Sequence, residues 1–244
     1  MKISKLLVLV VMVILSSLVV NAASVNCDVS SGRLIVDENV VCDNETLNIN
    51  RISIEPNGNL TIINSDINPY TRDSETEISI EIEDGNLSIT NSSFNGINYI
   101  EFDTDSDNEI PVINLNNVNI NNGTFTVDSN KCDITLDNVK HFNTGEYEYK
   151  LSPLTLDNSY FKINNVNKIH LQVYDSMGNI NALENSNIIV GYESNVLITN
   201  SELNFEDENG LVIEGKSNVT INNTKMEIFG LVFLRHIPKI FLTN

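Results

Sequence analysis

The chain has 244 residues, 33 acidic side chains against 14 basic ones, a formal charge of −19, and 7% aromatic residues with no tryptophan. So acidic a surface repels phosphate backbones, which argues against nucleic acid as a partner and favours solubility and association with cations. Forty residues are asparagine, and their recurrence in register, more than their number, organises the reading below.

The chain opens on Lys2 and Lys5, followed by an apolar run from Leu6 to Val20 broken only by Ser16 and Ser17, and then by Val20-Asn21-Ala22. This is the layout of a secretory signal peptide, with cleavage expected after Ala22 and residues 1–22 set aside from the fold. The alternative is an uncleaved anchor, but the run is short for a bilayer span. No cysteine stands at the cleavage point, against a lipoprotein, and no other segment is apolar enough to cross a membrane. The expected location is therefore extracellular or at the cell surface.

Residues 23–44 read as an N-terminal cap. They hold Cys27 and Cys42, which are expected to pair in an oxidising compartment; two free thiols are the alternative. The link closes a loop of about 15 residues and is worth roughly 3 kcal/mol in the loop-entropy model. Cys132 is left over, and its place in an alternating segment suggests burial.

From residue 45 to 226 one eight-residue phrase recurs with Asn fifth. The copies are LTIINSDI (60), LSITNSSF (87), INLNNVNI (113), ITLDNVKH (134), LTLDNSYF (154), NALENSNI (181), VLITNSEL (196) and VTINNTKM (219). Their intervals are 27, 26, 21, 20, 27, 15 and 23 residues. Apolar residues alternate with polar ones, the signal of a strand whose side chains point to opposite faces. PNGN, EDGN, NNG and DENG separate the runs, and their Gly and Asn accept positive φ at little cost. A unit of 20–27 residues cannot bury its apolar face alone, so the pattern predicts an all-β solenoid of about eight stacked coils. Asn64, Asn91, Asn117, Asn138, Asn158, Asn185, Asn200 and Asn223 are expected to stack about 4.8 Å apart as an amide ladder at one bend. Fifteen residues is short for a full coil, which marks NALENSNI or its neighbour as a false copy.

IEPNGNLTIINSDI (54–67) and IEDGNLSITNSSF (82–94) resemble coils of right-handed parallel β-helix proteins, the pectin-lyase-like superfamily, and most of all the secreted β-helix repeat proteins of archaeal surfaces. The likeness covers roughly residues 45–226 and is specific for architecture, not for activity. It implies a right-handed parallel β-helix. The apolar tail at 227–244 reads either as a capping element or as a truncated end.

Several segments carry residue types suited to chemistry. EFDTDSDNEI (101–110) alternates Asp103, Asp105 and Asp107, oxygen ligands of the kind that hold Ca²⁺, although Asn108 and Asn114 stand where an EF-hand-type loop has Gly and Glu. A solvated acidic loop is the alternative. Lyases and hydrolases of the superfamily need Ca²⁺-bound carboxylates beside a basic group, or close Asp pairs. This chain has no Asp-Asp pair, no Gly-His-Gly and only Arg33, Arg51, Arg72 and Arg235, so catalysis is not expected. His141, His170 and His236 lie far apart, and His170 is expected to face outward on a strand. Tyr147 and Tyr149 offer a sugar-stacking face or ordinary packing. Seven glycosylation sequons (Asn44, Asn59, Asn86, Asn91, Asn122, Asn218, Asn222) are about the number that 40 asparagines produce by chance. The expected function is a secreted or surface-displayed structural or adhesive module, with cell-surface glycans or other surface proteins as partners. The alternative is a polysaccharide-binding or polysaccharide-degrading protein with its site in the loops at 68–77 or 101–110.

Overall fold

The computed structural model describes residues 25–70, 77–97, 99–105, 110–121, 124–142, 152–203, 211–226 and 239–243. Residues 1–22, for which a signal peptide is expected, and Asp107, Tyr147 and Tyr149 lie outside them. Every pairing between named strands is parallel, and no helix occurs among the described residues. One 16-stranded sheet runs from Val25–Asn26 through Asn39–Asp43, Asn59–Ile63, Asn86–Thr90 and Val112–Asn121 to Lys239–Thr243, and a nine-stranded sheet faces it. The chain is an all-β parallel β-helix.

Each coil has three sides. The first is a strand such as Asn59–Ile63, the second a shorter strand such as Asp66–Asn68. The third lies in the nine-stranded sheet, as Glu77–Glu83 does. In Val112–Asn121, Asp133–Phe142, Tyr160–Asn167 and Met177–Glu184 the first two sides are one strand bent in the middle. The alternating pattern dictates this packing, because every second residue points inward. Leu60, Leu87, Ile113, Ile134 and Phe161 form one inward column in register, all 4% exposed or less. On the third side Ile52, Ile80, Phe102, Val127, Leu154, Leu171 and Ile188 form another. Such columns remove nearly all the inward apolar surface from water, at roughly 25 cal/mol per Å².

Size is matched between rungs. Phe161 stands directly over Gly178 in the parallel register, and a Cβ at 178 would lie 2.2 Å from the Phe161 carbonyl oxygen and 2.5 Å from its ring. The glycine is the space the phenylalanine needs.

The corners explain the repeated phrase. Asn44, Asn64, Asn91, Asn117, Asn138, Asn165, Ala182, Asn200 and Asn223 fall in one column by register, and all have φ between 46° and 57°. Asn tolerates this left-handed backbone better than other non-glycine residues. Its own N–H stays in the parallel ladder, as in Asn64 N–H to Thr90 O at 3.0 Å and Asn91 N–H to Asn116 O at 3.0 Å. The residue after it turns inward, so its N–H would be buried without a partner. A serine hydroxyl on the next rung accepts it: Ser65 N–H donates to Ser92 Oγ at 3.1 Å, and Leu183 N–H to Ser201 Oγ at 3.1 Å. Each hydroxyl in turn donates to the carbonyl two residues back, as in Ser92 Oγ to Thr90 O at 2.8 Å. Asn-Ser is therefore a corner with all its polar groups satisfied.

This chemistry recurs at all three corners, which corrects the expectation of a single column of eight. Asn158 (φ 47°) stacks with Lys131, Asp175 and Tyr192 at the corner between the third and first sides. Asn185 (φ 50°) follows Lys168 at the corner between the second and third sides, where Lys168 N–H donates to Glu184 O at 3.0 Å. LTLDNSYF and NALENSNI are thus genuine corners in the wrong column. The first corner of those coils lies elsewhere: Asn165 stands 27 residues after Asn138, and Asn181 only 17 after Asn164. So short a coil is complete because each corner costs one left-handed residue, Asn165, Lys168 and Asp175 in turn.

At the N-terminal end Cys27 and Cys42 form the disulfide, with Cα atoms 5.1 Å apart. The segment read as a cap already contributes Asn39–Asp43 to the stack. Of the apolar tail, Lys239–Thr243 pairs in parallel with Asn218–Asn222 and adds a further rung.

Candidate functional site

With the interior filled by side chains, any site lies on the outward faces. On the first side these carry three columns. Asn39, Asn59 and Asn86 begin the first, linked by Asn59 Nδ2–H to Asn39 Oδ1 at 2.9 Å and Asn86 Nδ2–H to Asn59 Oδ1 at 2.6 Å. Val41, Thr61, Ser88, Asn114, Thr135, Lys162, Asn179, Leu197 and Thr220 form the second by register. The third ends at the corner, where the amide ladder runs. Asn117 donates to Asn91 at 2.8 Å, Asn138 to Asn117 at 2.7 Å and Asn165 to Asn138 at 2.8 Å.

Ala182 interrupts that ladder, and the chain of amides steps sideways to avoid the gap. Asn164 donates to Asp137 and Asn181 to Asn164, each at 2.6 Å; Asn200 then donates to Asn181 at 2.8 Å and Asn223 to Asn200 at 2.7 Å. A further ladder on the second side joins Asn121 to Asn95 at 2.8 Å and Asn95 to Asp66 at 3.2 Å. The sequence reading missed these extra ladders. Their signal was present, since Asn59 and Asn86 are separated by the same 27 residues as Asn64 and Asn91.

The outward face of the third side is acidic instead. Glu81, Asp103 and Asp128 are neighbours in register, with Glu101 beside Asp103 on the same strand. Arg51 makes an ion pair with Glu81, exposed enough to contribute little stability. Asp103 and Asp105 belong to the strand Tyr99–Asp105 and not to a loop, so the pleat holds their Cα atoms some 6.6–6.8 Å apart along it. Among the described residues no group of three or more His, Cys, Asp or Glu side chains is placed to hold a metal ion.

His170 faces outward between inward-pointing Ile169 and Leu171. It sits in a short polar relay with Gln172 Nε2 at 3.0 Å, and Tyr174 Oη–H donates to Gln172 Oε1 at 3.2 Å. Burial, then the Glu214 carboxylate, pushes the Tyr174 phenol up from its ordinary value, so it remains a neutral donor at physiological pH. His141 lies in the strand Asp133–Phe142 beside Ile120, with no second histidine paired to it in the register.

Cys132 is free and fully buried beneath Ser129 and Ser159, and burial pushes its thiol up from its ordinary value. A neutral, enclosed thiol is a poor nucleophile. Ellman's reagent is expected to leave Cys132 unmodified in the folded protein and to titrate one thiol in denaturant; fast reaction under native conditions would contradict its placement.

The surface thus offers stacked amides and hydroxyls on one face and carboxylates on another. Compared with protein-family models, curated proteins and solved structures, the chain matches none.

Proposed function

We propose that the chain is an exported, non-enzymatic β-solenoid that serves as a structural or adhesive module at the cell surface. The observation that carries this reading is the continuous parallel stack from Val25–Asn26 to Lys239–Thr243, whose corner column from Asn44 to Asn223 repeats an asparagine on every rung but that of Ala182. Such a surface suits repetitive, extended contact better than the enclosed pocket of a small-molecule enzyme. Export is supported by the sequence of residues 1–22 and by the Cys27–Cys42 disulfide, a bond that persists in oxidising compartments. The reading also keeps the resemblance to the pectin-lyase-like β-helices and to archaeal surface repeat proteins, and it makes the exposed sequon at Asn86 available to a glycosylating host.

Incubation of the purified protein with a polysaccharide panel, with and without Ca²⁺, tests the non-enzymatic part. No product is expected with any polymer, and turnover abolished by Asp105→Ala would replace this reading with a polysaccharide-degrading one. Calcium at Asp103, Asp105 and Asp107 is tested separately by melting. The acidic face serves solubility under the present reading, so the melting temperature is expected to be the same in EDTA and in millimolar Ca²⁺. A rise of several degrees with Ca²⁺ would assign a metal site to residues 103–107.

A further inference from the structure

Six large hydrophobic residues are exposed among the described residues, and four of them, Tyr160, Met177, Tyr192 and Leu197, fall in three consecutive coils. Tyr160 and Met177 are 55% and 52% exposed and stand side by side on adjacent rungs of the first side. Tyr192 is 62% exposed at the corner that leads into the same side, and its ring meets that of Tyr174 edge-to-face at 5.4 Å. Leu197 lies in the neighbouring column beside Asn179. These side chains are held on a rigid ladder where an alternating strand ordinarily presents polar groups. Around them lie Asn179, Asn181, Asn195 and Thr199, with Asp133, Asp175 and Glu193 at the rim.

The geometry points to this edge as a binding platform for a neutral polysaccharide, and it rests on reading the coil as an adhesive module. Tyrosine faces and a thioether cover the C–H faces of sugar rings, and the amides, hydroxyls and rim carboxylates hydrogen-bond to the sugar hydroxyls around the ring edge. Charge disfavours an anionic occupant: a polyanion meets Asp133, Asp175 and Glu193 on a chain of formal charge −19, and a second copy brings the same charge to the contact. The residues are preordered by the stack, so little conformational entropy is lost on binding.

Native gels cast with a soluble β-1,4-glucan, glycol chitin or a mannan, and a control gel with polygalacturonate, test the assignment on the full mature chain. Retardation is expected in at least one neutral polymer and not in the control. Tyr160→Ala with Tyr192→Ala is expected to weaken it about tenfold, whereas Asp103→Ala leaves it unchanged. Both tyrosines are on the surface, and an unaltered circular dichroism spectrum verifies folding. Equal retardation of the double variant, retardation only by a charged polymer, or none by any neutral polymer would overturn the platform. Release of reducing sugar from a polymer would instead overturn the non-catalytic reading beneath it, so the two failures are separable.

Discussion

Phe102→Ala is expected to lower the unfolding free energy by about 3–5 kcal/mol, the cost of emptying a large aromatic site in a core that collapses only partly. Phe102 is fully buried and sandwiched in register between Ile80 and Val127, and with Phe94 and Phe125 it is one of the three largest fully buried side chains among the described residues. In a stack each rung rests on two neighbours, so one cavity weakens two interfaces. Chemical denaturation measures the loss. Ile35→Ala provides the control, because Ile35 is 65% exposed on the outward face of the same sheet and its loss is expected to stay within about 0.5 kcal/mol. Similar effects for the two substitutions would mean that the inward and outward faces have been assigned wrongly.

Asn117→Val is expected to cost about 2–4 kcal/mol from two separable sources. A side chain at φ 53° with a β-branch adds roughly 1–2 kcal/mol of backbone strain. The remainder comes from the amide bonds that Asn117 makes to Asn91 at 2.8 Å and receives from Asn138 at 2.7 Å, each worth about 0.5–1.5 kcal/mol or less at an exposed corner. Asn117→Gly keeps the left-handed backbone and removes only the ladder, so it is expected to cost about half as much. Ala182→Asn runs the experiment in reverse: it relieves the strained position and closes the interrupted column, for a gain of about 1 kcal/mol. Thermal melting of the three variants orders them. Asn117→Gly costing as much as Asn117→Val would assign the whole effect to the ladder and none to the backbone.

Much of this architecture is written in the alternation. Leu60, Ile62, Leu87 and Ile89 announce inward positions two apart, and no helical period competes with them. The asparagines announce corners for an equally local reason, since the left-handed turn and the inward serine after it are decided by adjacent residues. What adjacent residues do not encode is which of three corners a given Asn-Ser belongs to. Asn158-Ser159 and Asn185-Ser186 satisfy the same hydrogen bonds as Asn64-Ser65, so the phrase alone placed them in one column. FKINNVNK (161–168) carries Asn165 fifth just as INLNNVNI carries Asn117, but it overlaps LTLDNSYF at Phe161, so the phrase alone does not say which of the two marks the coil. The interval of 15 residues was the one trace of the error.

The surface was less legible. Tyr160 and Met177 stand at positions where the alternation announces an outward side chain but says nothing of what it meets, and only the register sets them side by side. Asp103 and Asp105 suggested a loop through their composition, whereas pairing with Glu81 and Glu83 on one rung, and of Asp103 with Asp128 on the next, makes the segment a strand.

Oxidative cross-linking of the corners probes the stacking register itself. In-register neighbours on adjacent rungs lie about 4.8 Å apart, within the Cα range a disulfide spans. In a Cys132→Ser background, Asn138→Cys with Asn165→Cys is expected to form a disulfide in the folded monomer, detected by mass spectrometry of unreduced peptides. Asn138→Cys with Asn158→Cys is expected to stay reduced, although the spacing of the repeated phrase makes those two the neighbours. A bond in the second pair and none in the first would dismantle the three-cornered coil, and every surface assignment built on it.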